Sequence, residues 1–306
     1  MPFRKNADGI QQYYYKKDES KQKIIQKDLF KGHGYKRDTF PPQFFENVEK
    51  TLKRGYWAYA IDGDGWIHEY SKNKKNKFEV GISLNDREPI QELADIYGAS
   101  ISRKDYKNKK KKSSYIVKIY GKRALHFLRL ICPHMTEKRK KATQAINMFD
   151  PNYHPPKISM DFRQNPDLLK PHMESVGGFF DTEGSVGIKI RNQKKKTKKL
   201  GEKIYSFLDP WLKFDNTDIR PLRKLKKLLE TWPFTFKPTL SIYKARKQTK
   251  SNGENVKTSY TLHIPQPQHL LFMKMFSPFI LITRKREYAD RFELKKKIYE
   301  ICGAGK

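Results

Sequence analysis

Apolar positions along the chain switch repeatedly between a helical and a strand period. Phe44, Phe45, Val48 and Leu52 recur at helical spacing after Pro41-Pro42 and lead into the apolar stretch WAYAIDGDG at Trp57–Gly65, which a terminating glycine closes. Alternating runs over Trp66–Tyr70 and Phe78–Leu84 predict two strands. Pro89–Tyr97, with Ile90, Leu93, Ala94 and Tyr97 on one helical face, predicts a helix stopped by Gly98. Two further strands are expected over Ala99–Lys104 and Tyr115–Tyr120, and two further helices over Ala124–Ile131 and Thr136–Met148. The order is α-β-β-α-β-β-α(α), an α+β pattern with an antiparallel sheet.

The same order then restarts. After Asp150 the segment PNYHPPKISMDFRQNP is Pro-rich and aperiodic, as a linker is. A helix over Leu168–Glu183 is followed by strands over Ser185–Arg191 and Tyr205–Phe214, a helix over Pro221–Leu229, strands over Thr239–Lys244 and Tyr260–Ile264, and helices from His269 to Ile301. Without gaps, YIVKIYGKRALHFLRLICP from Tyr115 sets against YTLHIPQPQHLLFMKMFSP from Tyr260, an offset of 145 (260 − 115), with apolar positions matching almost throughout. Two other landmarks, Asp64 with Glu183 and Pro89 with Pro221, give offsets of 119 (183 − 64) and 132 (221 − 89), so the second copy carries longer hairpins. The chain divides on this reading into an extension over 1–42, a first repeat over 43–150, a linker over 151–165 and a second repeat over 166–306.

Charge narrows the function. With 65 Lys+Arg against 33 Asp+Glu the formal charge is +32, an imbalance that calls for a polyanionic partner, nucleic acid first. There is no apolar run near the length of a membrane span, no amphipathic basic anchor and no apolar core of a secretory signal in MPFRKNADGIQQYYYKK. The expected place is therefore inside a cell or organelle, in bacterial or phage cytoplasm or in a chloroplast or mitochondrion, without secretion or membrane association. Cys132 and Cys302 are too few for a disulfide scaffold and lack partners at zinc-ligand spacing.

Both WAYAIDGDG and VGGFFDTEG, at Val176–Gly184, end in acid-x-acid-Gly. A helix C-terminus carries partial negative charge, so Asp62 and Asp64, or Asp181 and Glu183, stand where a carboxylate is disfavoured, and a divalent cation would compensate. Two such helices side by side would bring Asp64 and Glu183 to one point, a geometry suited to metal-assisted phosphodiester hydrolysis. A calcium-loop reading fails, because Trp66 and Ile67 follow where that loop needs Asp or Asn and Gly.

Both stretches resemble the LAGLIDADG motif of homing endonucleases, in the single-chain, two-repeat form, and the resemblance covers about residues 44 to 306. It implies two pseudo-symmetric αββαββα repeats whose saddle-shaped antiparallel sheets meet at a central pair of motif helices. It further implies a monomeric, site-specific double-strand DNA endonuclease, a meganuclease of the kind used in intron homing, which depends on Mg²⁺ with Mn²⁺ as a substitute and leaves 3′ overhangs. The metal ligands carried over are Asp64 and Glu183, with the carbonyls of Gly63 and Thr182, while the first acids, Asp62 and Asp181, are structural. The basic residue before the helix after the fourth strand falls on Lys122; in the second repeat that place is held by Pro267, flanked by Gln266 and Gln268. The water-positioning polar residue falls on Asn85 or Asp86 in one repeat and on Asn216 in the other. Tyr59 departs from the motif, standing where a glycine normally allows close helix approach, and Gly177 and Gly178 are expected to make room for its ring.

Strand parity then places the side chains that would face a major groove. In the first repeat they are His68, Tyr70, Lys72, Lys77, Glu79, Ser83, Ser102, Lys104 and Lys118; in the second they are Lys189, Arg191, Lys213, Ser241, Tyr243 and His263. The lysine runs at 72–77, 107–112 and 194–199 are expected in hairpin loops, where they would clasp phosphates. Because the repeats differ at nearly every such position, the target should be asymmetric. Two other functions share the fold: an RNA-binding intron maturase, and a DNA-binding protein that does not cut.

Overall fold

A computed structural model describes residues 4–5, 11–12, 42–69, 78–106, 112–158, 166–197, 201–231, 233–243 and 258–294. Near the N-terminus, Arg4–Lys5 and Gln11–Gln12 form a short antiparallel ladder. The elements then run α1 (Pro42–Thr51), α2 (Arg54–Asp64), β1 (Gly65–Glu69), β2 (Phe78–Leu84), α3 (Arg87–Tyr97), β3 (Ile101–Lys104), β4 (Ser114–Tyr120), α4 (Gly121–Ile131) and α5 (Arg139–Asn147). The second series is α6 (Leu169–Glu183), β5 (Gly184–Thr197), β6 (Gly201–Asn216), α7 (Ile219–Glu230), β7 (Thr239–Tyr243), β8 (Ser259–His263), α8 (His269–Phe276) and α9 (Thr283–Arg286). Each series folds one four-stranded antiparallel sheet, in the orders β1-β2-β4-β3 and β5-β6-β8-β7. The α+β class and the duplicated element order read from the sequence are therefore present, and the two sheets share one topology.

The chain forms two compact units that do not follow the repeat boundary. One contains residues up to Leu52, Trp66–Leu130 and Gln144–Tyr153; the other contains Lys53–Gly65, Ile131–Thr143 and His154 onward. The first motif helix, α2, thus packs with the second repeat. In the first unit Val80 pairs with Ile119 and Ile82 with Val117, which turns these four toward the helices and puts Gly81, Ser83 and Lys118 on the opposite face. Phe44, Tyr97 and Phe127 close the core edge to face, at centroid distances of 6.3 and 5.4 Å. The core of the second unit is aromatic: Phe179, Phe180, Phe214, Phe236, Phe272 and Phe276 pack with Leu212, Leu222 and Leu262. Burying side chains of this size contributes about 1.5–3 kcal/mol each before entropy is counted.

Two local features depart from the sequence pattern. The helical run into the first motif breaks at Leu52-Lys53, where Leu52 N still bonds Val48 O and Trp57 N already bonds Lys53 O. Strands β5 and β6 are also longer than the alternation predicts. The ladder continues through Lys195↔Lys203 and Lys196↔Glu202 to Thr197↔Gly201, so residues 194–197 of the third lysine run are strand and not loop. An antiparallel ribbon needs no apolar alternation where backbone hydrogen bonding alone extends it, so alternation does not mark these outer ends. Residues 72–77 and 107–111 of the other runs lie outside the described residues.

Candidate active site

Helices α2 and α6 pack directly against each other, and glycines set how closely. A Cβ on Gly55 would stand 1.8 Å from the Pro171 carbonyl oxygen, and one on Gly178 would stand 2.2 Å from that of Tyr56. Toward the C-terminal ends, a Cβ on Gly63 would lie 2.8 Å from Thr182 Oγ1 and 3.0 Å from Glu183 Oε1. The seam is therefore helix against partner backbone at Gly55 and Gly178 and against the Thr182 and Glu183 side chains at Gly63, and it delivers the two acid-bearing ends to one place. Tyr59 lies beside this seam, buried, with its ring 5.5 Å from that of Phe179 and Lys224 above it. Gly177, expected to make room for that ring, instead faces the Phe279 carbonyl, where a Cβ would approach to 2.3 Å.

The first acid of each motif is buried and tied to backbone N–H groups. Asp62 Oδ2 accepts from Thr136 N and Glu137 N, and its Oδ1 accepts from Lys138 N at 2.8 Å. Asp181 Oδ2 accepts from Leu281 N at 2.7 Å, Ile282 N at 3.2 Å and the Tyr56 hydroxyl at 2.8 Å. The paired donors Thr136/Leu281 and Glu137/Ile282 both stand at the offset of 145 (281 − 136, 282 − 137) found between the repeats. Burial pushes both carboxyls up, that of Asp181 to about 6, against these hydrogen bonds and the charges of Lys138 at Asp62 and Lys285 at Asp181.

A lysine then closes each helix. Lys138 Nζ donates to the carbonyls of Ile61 (2.8 Å), Asp62 and Gly63 (3.1 Å). Lys285 Nζ donates to those of Phe180 (2.7 Å), Asp181 (2.9 Å) and Gly184 (2.8 Å). Each ammonium thus uses its three donors on carbonyls around the helix end, one of which, that of Ile61 or Phe180, also accepts from the capping glycine N–H, at the negative end of the helix dipole. Neither residue was singled out from the sequence. The available signal was that each follows the matched prolines Pro133 and Pro278 by five (138 − 133) and seven (285 − 278) residues.

The second acids sit beyond these caps. Asp64 keeps an exposed side, yet burial of its base raises its carboxyl, opposed by Lys138 and Lys285. Glu183 is pushed up to about 7, by burial first, then by Asp64 and Glu137, again opposed by both lysines. Two mutually repelling, partly desolvated carboxylates form a hard-oxygen donor set with unbalanced negative charge, and a divalent cation fits it. Among the described residues no group of three or more His, Cys, Asp or Glu side chains forms a metal cage. A cation here would take two carboxylates, the carbonyls of Thr182 and Gly63, and substrate oxygens, a pattern usual for Mg²⁺. The Gly63 carbonyl already accepts from Lys138, which leaves it one lone pair.

The remaining expected site residues are distributed as follows. Asn216 Oδ1 accepts from Asp218 N at 2.7 Å and shapes the turn into α7, and Gln268 Oε1 accepts from Lys237 N at 3.0 Å. Lys122 and Asn85 are exposed residues of the other unit, at the start of α4 and after β2. On the sheet faces opposite the helices, His68, Ser102 and Lys104 are exposed, Ser83, Lys213, Ser241 and His263 are half-buried, and Lys118 and Lys189 carry exposed ammonium ends. Glu79 on the same face is buried. Tyr70, Lys72 and Lys77 lie outside the described residues, as do the side chains of Arg191 and Tyr243.

Residues 51–132 match the family model of the LAGLIDADG-like domain. The second repeat has the same element order and strand order. Among solved structures, the chain resembles the LAGLIDADG meganuclease I-AabMI bound to uncleaved DNA (16% identity, 83% of this chain and 92% of that one, TM-score 0.47). It also resembles the LAGLIDADG homing endonuclease I-GzeII in complex with its DNA target (11%, 82% and 91%, 0.39) and the homing endonuclease I-WcaI bound to its recognition sequence (13%, 86% and 96%, 0.37). No curated protein matches the chain.

Proposed function

We propose that the chain is a site-specific double-strand DNA endonuclease that hydrolyses phosphodiester bonds with a divalent cation, Mg²⁺ in the cell. One observation carries this reading: the acids that end the two motif helices come together, each on a helix whose C-terminus is closed by a lysine. Asp64 and Glu183, with the carbonyls of Thr182 and Gly63, would hold the cation, which when bound supplies Lewis acidity for an attacking water and a leaving 3′ oxygen. Lys138 and Lys285 fix the helix ends and offset part of the repulsion between two carboxylates and an incoming phosphate. Asp62 and Asp181 lock those ends to the segments that carry the lysines. The unlike pair Asp64 and Glu183 differs by one methylene, which supports unequal rates for the two strands. The differing sheet residues of the two repeats support a long asymmetric target read by a monomer, with staggered cuts that leave 3′ overhangs.

The test is incubation of a randomised duplex library with the full chain and Mg²⁺ or Mn²⁺. Enrichment of cut ends around one long sequence supports the reading. A chain that retains duplex and cuts none is a silent binder, and one that binds only structured RNA is a maturase; either outcome rejects the endonuclease.

A further inference from the structure

On the sheet face away from the helices, each unit carries a similar assembly of tryptophan, glycine, lysine and carboxylate, to which the second adds a serine. In the first, Trp66 lies across Gly81 so closely that a Cβ there would meet ring atom Cζ2 at 2.4 Å. Trp66 Nε1 donates to Glu79 Oε1 at 2.9 Å, the same oxygen that holds Lys118 Nζ at 3.2 Å, and Lys118 Nζ stands 5.8 Å from the ring centroid. In the second, Trp211 lies across Gly187, where a Cβ would meet Cζ2 at 2.0 Å, and its Nε1 donates to Ser185 Oγ at 3.1 Å. Lys189 Nζ stands 5.9 Å from that ring centroid and 3.6 Å from Asp209 Oδ2. The strands contribute differently. Trp66 is on the first strand of its sheet and Trp211 on the second, while the repeat equivalent of Trp66 at offset 119 is Ser185 (66 + 119), so duplication alone does not account for the likeness.

A surface lysine normally samples many rotamers and acts as a mobile point charge. Here an indole face on one side and a carboxylate on the other restrict the ammonium. The carboxylate also offsets the charge that would serve a phosphate clamp, yet takes at most one of the three N–H donors: Glu79 is within hydrogen-bond reach of Lys118, and Asp209 only pairs with Lys189 as an ion at 3.6 Å. What remains is a positioned pair of donors on the face of a sheet, and guanine offers the matching pair of major-groove acceptors, O6 and N7. We infer that Lys118 and Lys189 are specificity-determining residues, each reading guanine from a position set by its tryptophan–glycine platform. The inference rests on the DNA-binding reading above.

Binding selection from a randomised duplex library, without divalent cation, compares the unmodified chain with K118M, K189M, W66L and W211L, with circular dichroism and thermal melts as folding checks. K118M is expected to lose about tenfold in guanine preference at one or two adjacent positions, with other positions and the salt slope unchanged. W66L should weaken the same positions, and K189M and W211L a separate set. Uniform weakening with a log–log salt slope lowered by about 1 would make these lysines phosphate contacts and overturn the inference. An unaltered sequence profile in folded K118M and K189M overturns it alone. An unmodified chain with no preferred duplex overturns the DNA-binding reading, and this one with it.

Discussion

Carboxylates at a helix C-terminus are each disfavoured by about 0.3–1 kcal/mol, and the two motif helices place Asp62, Asp64, Asp181 and Glu183 there. Lys138 and Lys285 answer this with three carbonyl hydrogen bonds apiece. Because hydrogen bonds to a charged group contribute about 1.5–3 kcal/mol each, K138M or K285M should lower stability in urea by at least about 2 kcal/mol and reduce cleavage as well. Unchanged stability in either variant would mean that the lysine does not close its helix. Two protonation equilibria give further tests. Burial, then the charges of His172, Lys224, Arg54 and Arg139, hold the His134 imidazole down to about 4, so the folded state prefers it neutral. Its contribution to stability is complete above about pH 6.5 and is lost as pH falls from there toward 4. The buried acids act in the opposite direction over part of that window, so the observable is a difference: the drop in melting temperature between pH 7 and pH 5 should be smaller in H134Q than in the unmodified chain. Glu183, raised to about 7, must be ionised to bind a cation, so calorimetric titration with Mn²⁺ should give weaker affinity at pH 6 than at pH 8. Asp64 and Glu183 could be read from acid-x-acid-Gly alone. Lys138 and Lys285 could not, because their contacts span up to 77 and 105 residues of sequence in a chain where lysines abound.

At the scale of elements, the close pass of α2 and α6 depends on Gly55 and Gly178, whose missing side chains face carbonyl oxygens and not movable side-chain tips. G178A should therefore destabilise the chain by about 2 kcal/mol or more, in the range of overpacking, and should reduce cleavage without changing Lys118 or Lys189 on the sheets. The nearest neighbours of Gly177 and Gly178 are Phe279 and the Tyr56 backbone; a repeating small residue in sequence does not say which backbone it will face. Periodicity revealed most elements because apolar faces must be buried. It missed the helix break at Leu52-Lys53, which is a backbone event inside an unbroken apolar pattern, and the outer ends of β5 and β6, where there is no apolar face to repeat. Trp66 and Trp211 share strand parity with His68 and Lys213 and so stand on the groove-facing side, which the alternation alone does not single out. An aromatic in an alternating run reads as core until its glycine partner across the sheet is seen.

For the molecule as a whole, the formal charge of +32 governs association more than folding. Duplex affinity should fall steeply with salt: with 6–10 phosphate contacts the loss between 50 and 200 mM would be about 10³–10⁵-fold, measurable by fluorescence anisotropy. A flat response would exclude backbone contacts as the main source of affinity. The first motif helix packs in the same compact unit as the second repeat, so neither repeat's sequence alone builds the acid pair. The central claim is that Asp64 and Glu183 together form one cation-dependent hydrolytic site. Its most direct test is cleavage of a library-selected duplex by the unmodified chain, D64N and E183Q with Mg²⁺, with binding followed in parallel. The account predicts that both variants bind the duplex and lose cleavage by about 10²–10³-fold, the scale on which a lost electrostatic catalytic group acts. Full cleavage by either variant would contradict it.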